Sequence, residues 1–406
     1  MMKKLESHGH LPILSWCKDL EEGALKQAIN LAKHPALFRH VAIMPDAHQG
    51  FGMPIGGVIA SKEAVIPNAV GVDIGCGMGA VRTDLPADMA TDKEKLRRLV
   101  MDIKSRVPVG EGCSRSKGLS WLGFDEWLDS LGSSPLPAWY NKDSHELDRM
   151  NLGTLGGGNH FIEVQAGSDG FVWLMLHSGS RNLGYRIANS YHKIALALDK
   201  SRGLPFPDPE LAWLPLAGSE AEAYLRDMEH ALSYARENRR IMMEHLKAVF
   251  SSAFPVSDFT EEINIHHNYA ALESHFGHNV WVHRKGAVSA RLGQKGIIPG
   301  SMGTSSYIVV GLGEANSFES SSHGAGRRMG RNDAIRNLRQ ADCDRAMASV
   351  VREDWKPSRI KGAEGKKLPD LSEAPGAYKD IDLVMEAQKD LTKILVKLKP
   401  LAVLKG

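Results

Sequence analysis

Apolar residues recur at helical spacing between Asp19 and His34 and again over 93–106, which predicts an amphipathic helix in each window. Between about 218 and 249, Ala221, Leu225, Met228, Leu232, Ala235, Ile241, Met242 and Leu246 keep that spacing among many charges. A long surface helix or a helical pair is expected there. Leu383, Ala387, Leu391, Ile394, Leu395 and Leu398 predict a last helix near 381–398. Other stretches read as strands. Phe38 to Met44 should end at Pro45-Asp46, leaving a carboxylate at a strand exit. Residues 56–83 read as short β-branched strands broken by glycine turns, one of them Asp73–Gly77. Phe171 to Leu176 suits a buried strand that delivers His177 at its end. Several strands are expected over 262–310, then a glycine and serine loop over 311–326. The stretch 108–142, rich in Gly, Ser, Pro and Trp without a period, reads as an irregular excursion. The expected fold is α+β, a single compact unit spanning 1–406. Its central β-sheets are surrounded by helices, with a helical insertion near 205–255.

Composition narrows the class. Hydrophobic residues at 43% and charged residues at 24% of 406 argue for a globular enzyme rather than a disordered chain. No apolar run approaches the roughly 18 residues of a spanning helix, and cytoplasm is the simplest location. Cys17, Cys76, Cys113 and Cys343 form no C-x-x-C pair, which argues against a disulfide framework or a zinc knuckle. A formal charge of +2 is too mild to announce a polyanion binder, so an anionic substrate would need a local basic surface.

The candidate chemistry lies in the glycine-rich turns. Asp73 and Cys76 offer an oxygen and a thiolate three positions apart across a turn, against the bland reading of a small core cysteine. Gly153 to Gly158 precede Asn159 and His160, and their backbone could approach a phosphate or ion closely. His177 leads into Ser178-Gly179-Ser180-Arg181. Of His266 and His267 at most one can face a given site, because adjacent side chains diverge. One carboxylate, one thiolate and three imidazoles could satisfy a pair of borderline divalent ions, a set suited to phosphoryl chemistry. Around His323 small residues leave room for a bulky phosphorylated partner, and Arg327 and Arg331 add forked donors for its oxygens. Neither a G-x-x-x-x-G-K-[ST] loop nor an H-E-x-x-H is present. The ligand set alone permits a two-metal hydrolase, such as a phosphodiesterase or nuclease, or a protein that uses the cations as structural staples without catalysis.

Eight motifs carry a more specific resemblance: Gly71-Val-Asp-Ile-Gly-Cys-Gly77, Gly153-Thr-Leu-Gly-Gly-Gly-Asn-His160, His177-Ser-Gly-Ser-Arg181, His267-Asn268, Arg284-Lys-Gly-Ala287, Pro299-Gly-Ser-Met-Gly303, Ser322-His-Gly-Ala-Gly-Arg327 and Ala377-Tyr-Lys-Asp380. Over essentially the whole chain they occur in the order of the RtcB family of RNA-splicing ligases, which this sequence resembles. The resemblance implies a GTP-consuming, Mn²⁺-dependent ligase that joins RNA 2′,3′-cyclic phosphate or 3′-phosphate ends to 5′-hydroxyl ends. It implies two manganese ions bridged by Cys76, one completed by Asp73 and His160, the other by His177 and His267. It makes His323 the residue that is guanylylated, with Asp46 needed for that step. Asn159, Glu163, Ser301, His323, Gly324, Ala325, Gly326, Tyr378 and Lys405 match positions that hold the guanine nucleotide. Arg181, Arg327 and Arg331 would meet RNA phosphates. Some members of the family use an accessory protein, archease. Met329-Gly330 before Arg331, Ala47, and 108–142 depart from the family's pattern, leaving tRNA splicing, messenger splicing and repair of nuclease-cut RNA all open as the substrate context.

Overall fold

A computed structural model describes residues 2–7, 10–203, 208–362 and 365–406. Two large sheets organise a mixed α+β fold. The first runs, in spatial order, Lys3–Leu5, Ile13–Ser15, Leu37–His48, Ile55–Ser61, His278–Lys285 and Asn268–His275. The second runs Phe259–His266, Gly77–Pro86, Phe171–Ser178, Phe161–Gly167, Thr392–Lys405, Ser306–Gly311 and Lys295–Ile298, antiparallel throughout. His267 is the single residue between strand Phe259–His266 of one sheet and strand Asn268–His275 of the other. The two sheets are therefore joined at a candidate ligand.

Period-two alternation decides which side chains reach the site. In Phe171–Ser178, Val172, Leu174 and Leu176 pack against the helices Lys93–Arg106 and Ser219–Ala253. Trp173 and Met175 face the opposite core, and His177 continues their row. The same parity puts Cys76 in line with Met78 and Ala80, Lys405 with Val403, and His267 with Ile263 and Ile265. In Leu37–His48, Ala42 and Met44 pack on a core that contains Ala287 and Phe318, and Asp46 extends that row.

Several expectations need correction. The strand beginning near Phe38 does not stop at Pro45-Asp46; it runs to His48, with its register broken between Ile43 and His48. Such an irregularity tolerates a proline, which has no N–H to give to a ladder. The stretch 381–398 is not one helix. Ile381–Ala387 is helical, but Thr392–Lys405 is a strand in the interior of the second sheet. Its alternation of buried Val396, Leu398 and Pro400 with exposed Lys397 and Lys399 is a strand pattern that the leucine spacing masked. Within 108–142 lies a helix, Leu122–Ser130, whose Phe124 and Trp127 are buried. Trp127 and Trp139 donate their indole N–H groups to Asp227 of the helix Ser219–Ala253 at 3.0 and 2.8 Å, so this segment packs into a core that it shares with that helix. The stretch 218–249 belongs to one 35-residue helix, and it is no surface element, because it contributes to two separate cores. Of the expected helical insertion, 205–207 lie outside the described residues. Among the described residues no helix is long and apolar enough to cross a membrane.

Candidate metal centre and catalytic histidine

Five neighbouring strands of the second sheet finish at one edge, where they present His267, Cys76, His177, His160 and Lys405 in that spatial order. Register aligns them: Met78 and Phe161 both pair with His177, and Lys405 pairs with Phe161. Cys76 Sγ lies 3.2 Å from His177 Nε2 and 3.5 Å from His160 Nε2, and His177 Nε2 lies 3.4 Å from His267 Nε2. Asp73 Oδ2 is 3.6 Å from His160 Nε2. Donors that each bind a cation at roughly 2.0–2.3 Å lie about 3.3–3.7 Å from one another in a tetrahedral shell, so these spacings fit a metal ion. Cys76, His160 and His177 form a buried three-ligand group.

Backbone carbonyls orient the rings. His160 Nδ1 donates to Leu155 O at 2.9 Å and His177 Nδ1 to Asn159 O at 3.3 Å, which leaves each Nε2 lone pair facing the centre. Burial, followed by neighbouring imidazoles, keeps His177 well below the ordinary histidine range, while His267 is held down by burial and then His323. Both rings are neutral, the form that binds metal. Burial, reinforced by Asp73, pushes the Cys76 thiol well above its usual range. Such a thiol ionises only beside a cation. Burial would raise Asp73 too, but the bond and charge of His160 outweigh it and bring the carboxyl down to about 2. Gly179 makes room for that carboxylate, since a Cβ there would lie 2.7 Å from both of its oxygens.

The second sheet does not supply His323. That residue follows the short strand Ser320–Ser322, which pairs with Ala287–Ser289. His323 Nδ1 lies 2.7 Å from Asp46 Oδ2, and its backbone N–H donates to the same oxygen at 3.2 Å. Its ring centroid is 4.8 Å from that of His267, beside the cluster rather than within it. Gly326, at φ +72°, lets the loop turn against Asp46, whose carbonyl oxygen would be 2.1 Å from an added Cβ. Gly324 and Ala325 lie between them, with Ala325 buried against Tyr307 and Val309.

The remaining candidates fall into two groups. Glu163 continues the inward row of Phe161, accepts from Gln165 at 2.6 Å, and is pushed up to about 8 by burial that Lys405 only partly offsets. Lys405 donates to Asn159 O at 3.1 Å and lies 3.5 Å from Glu373. Glu373 also meets Arg327 at 3.1 Å, Arg331 at 3.0 Å and the Tyr378 hydroxyl. Ser301 sits in a turn closed by Thr304, its N–H donating to Thr304 Oγ1 at 2.7 Å. Arg181 adopts φ 51° and donates to Thr154 Oγ1 at 3.2 Å, its guanidinium lying where a side chain on Gly156 would go. Arg327 directs Nε to Met329 O and Nη2 to Ser372 O, so it is engaged within the protein, whereas Arg331 is half exposed.

Three supports escaped the sequence reading. Asn238 and Arg239, adjacent on the long helix, clamp the ligand-bearing loops from beneath. Asn238 accepts from the N–H groups of Gly153 and Thr154 and donates to Ser178 Oγ and Gly179 O. Arg239 donates to Gly75 O, Ser178 O and His266, which turns His266 away from the cluster. A visible signal existed: two polar residues interrupt the row Ala231, Ala235, Met242. Glu373 gave less warning, standing just ahead of the Tyr378 motif.

Fold and site together define a mixed α+β enzyme with a buried thiolate and imidazole cluster that fits a metal ion, flanked by a carboxylate-backed histidine. A family model described as tRNA-splicing ligase RtcB matches residues 27–406, and the chain belongs to that family. It is 42% identical to RNA-splicing ligase RtcB1 from one strain of Escherichia coli and 41% identical to RNA-splicing ligase RtcB from strain K12, with 97% of each chain covered in both comparisons. It is 34% identical to a tRNA-splicing ligase RtcB from Pyrobaculum aerophilum, over 94% of this chain and 91% of that one.

Proposed function

We propose that this RtcB-family RNA ligase uses GTP to join an RNA 3′-phosphate or 2′,3′-cyclic phosphate end to a 5′-hydroxyl end, acting as one catalytic unit through a guanylylated His323. The observation that carries the reading is a histidine beside the metal cluster but outside it, backed by Asp46 at 2.7 Å. A carboxylate this close to Nδ1 would favour the tautomer protonated there and leave Nε2 as a nucleophile. Nε2 attacks the α-phosphorus of GTP, the bond to the β-phosphate breaks, and pyrophosphate leaves. The guanylyl group then passes from Nε2 to an oxygen of the RNA 3′-phosphate. Attack by the 5′-hydroxyl oxygen on the activated phosphorus forms the phosphodiester and releases GMP. A cyclic phosphate is first opened by water.

Cys76 would bridge two Mn²⁺ ions, with Asp73 and His160 on one and His177 and His267 on the other. When bound, the ions would neutralise charge on the reacting phosphate oxygens. Asn159, Glu163, Ser301, Tyr378, Lys405 and the loop Gly324–Gly326 would hold the nucleotide. Glu163, protonated because burial lifts it to about 8, offers a neutral edge to a purine. Arg181 and Arg331 would meet RNA phosphates, and Arg327 would support them from behind. Cytoplasmic placement, an archease-type accessory protein, and a role in tRNA splicing or RNA repair extend the same reading.

Protein supplied with Mn²⁺ and α-labelled GTP is expected to form an acid-labile, alkali-stable protein–GMP adduct, and His323→Ala to abolish it. Label that survives His323→Ala would remove the proposed nucleophile. RNA ends bearing 3′-phosphate and 5′-hydroxyl should give a GTP-dependent joined product; cleavage without joining would favour the two-metal phosphodiesterase instead.

A further inference from the structure

We infer that Glu373 is a positioning residue that ties Tyr378 and Lys405 of the nucleotide seat to Arg327 and Arg331 of the RNA-facing side in one preorganised anion-binding unit, so that Arg331 also serves the phosphates of GTP. The inference rests on the guanylyl-transfer reading above. Glu373 is 8% exposed, and its four partners arrive from four separate stretches: the loop after His323, the first turn of the helix Arg331–Asn337, the segment before Ile381, and the end of the strand Thr392–Lys405. Backbone bonds from Arg328 N–H to Ala377 O and from Lys379 N–H to Gly326 O bring two of those stretches together. They do not reach Lys405 or the side chain of Arg331; the carboxylate does.

Charge separates this arrangement from an ordinary structural ion pair. Three cations share one carboxylate, and two of them border the glycine loop: Arg331 lies beside Gly158, and Lys405 donates to Asn159 O next to His160. Arg331 is held through Nε, while its Nη2 hangs 3.5 Å from where a Cβ on Gly158 would be, open to an incoming phosphate. A guanidinium fixed at one nitrogen and free at the others loses less freedom when it binds an oxyanion. Lys405 needs this partner as well. Its other acidic neighbour, Glu163, is lifted by burial to about 8 and is protonated at neutral pH, whereas Lys405, Arg331 and Arg327 outweigh burial at Glu373 and hold it at about 2. Burial lowers Lys405, and Glu373 is the largest influence opposing that.

The test is Glu373→Gln, which keeps the shape and removes the charge, compared with Arg331→Gln and the double variant. Both single variants are expected to fold and bind metal as the parent does; Glu373→Gln should lower the thermal midpoint, because it leaves buried cations uncompensated, and Arg331→Gln, at a half-exposed residue, should not. Each should raise the KM for GTP in adduct formation about ten-fold or more while kcat changes much less, the loss of a charge-assisted contact made at binding. Because the two residues act through one contact, the double variant should fall well short of the product of the single effects. An unchanged KM with reduced kcat, or effects that multiply independently, would overturn the proposal. Should Glu373→Gln not fold, Glu373→Asp retracts the charge by one methylene and is read in the same way. If the parent forms no adduct, the guanylyl-transfer reading fails; calorimetric titration of GTP into parent and Glu373→Gln then decides this inference, and equal affinity overturns it.

Discussion

The candidate ligand cluster and the His323 loop are within a ring's width of each other, yet opposite means hold them in place. The cluster sits on neighbouring strand ends of one sheet, so hydrophobic alternation and backbone register position His177, Cys76 and His267 together. The histidine loop is tied by side chains from far along the chain. Asp46 meets His323, Gln388 meets Ser322 at 2.8 Å, and Arg284 meets Ser320 at 2.9 Å. A sheet resists displacement of one residue because the whole ladder must slip, whereas a loop held by a few buried polar bonds depends on each of them. The first region should therefore fail by losing its ion, and the second by losing its order.

The largest effect is expected at Cys76, the proposed bridge. Cys76→Ala removes a donor that both proposed ions use, and the sheet beneath it should remain intact. Metal bound per chain should drop below one and GMP labelling should vanish, while the thermal midpoint of the metal-free protein moves little. Stoichiometric metal in the variant would reject the bridge.

Next in size is a break in the second region. Arg284 is fully buried and forked on Glu273 at 2.6 and 3.0 Å, and it also donates to Ser320 Oγ and Phe318 O just ahead of His323. Glu273→Gln strands a buried guanidinium charge, which costs about 3 kcal/mol. Burial opposes ionisation of Glu273, but Arg284 and then His275 outweigh it and hold the carboxyl well below the ordinary range. Between that lowered value and roughly 4.3, the unfolded chain binds a proton that the folded chain does not, so stability rises with pH in this window. The contribution is complete above roughly pH 4.3 and is lost as pH falls below it. Denaturation midpoints measured from pH 2.5 to 7 should fall steeply at the acid end in the parent and less steeply in Glu273→Gln. Parallel curves would show that the pair is not ionised as described.

The same contrast explains what could be read from the chain alone. Ligand candidates stood out because glycine turns and an apolar run flank them, and both are local signals: Asp73 to Gly77, Gly153 to His160, and the strand ending at His177. Glu373, Asn238 and Arg239 act across long separations; the only local sign of the last two is that they interrupt an apolar row, which does not say what they hold, and Glu373 reads as a surface polar residue. The misread elements fail for a third reason. Pro45 sits at a register break that no local pattern announces. Over 381–398 the leucine spacing satisfies a helix and hides the strand alternation of Val396, Leu398 and Pro400, and pairing with Ser306–Gly311 and Phe161–Gly167 decides against the helix.

That last ambiguity gives the smallest effect and a clean discrimination. Leu395 and Leu398 lie three apart, so a helix would put both on one buried face and their truncation would cost similar amounts. In the strand they lie on opposite faces: Leu398 is fully buried in the core with Ile308 and Val403, and Leu395 is 44% exposed. Leu398→Ala should cost about 2–5 kcal/mol, the range for a buried leucine. Leu395→Ala should stay within about 0.5 kcal/mol, as for substitutions away from packed features. Paired urea titrations read the difference directly. Equal losses at the two positions would mean that the chain's last stretch is not the strand that carries Lys405 to the site.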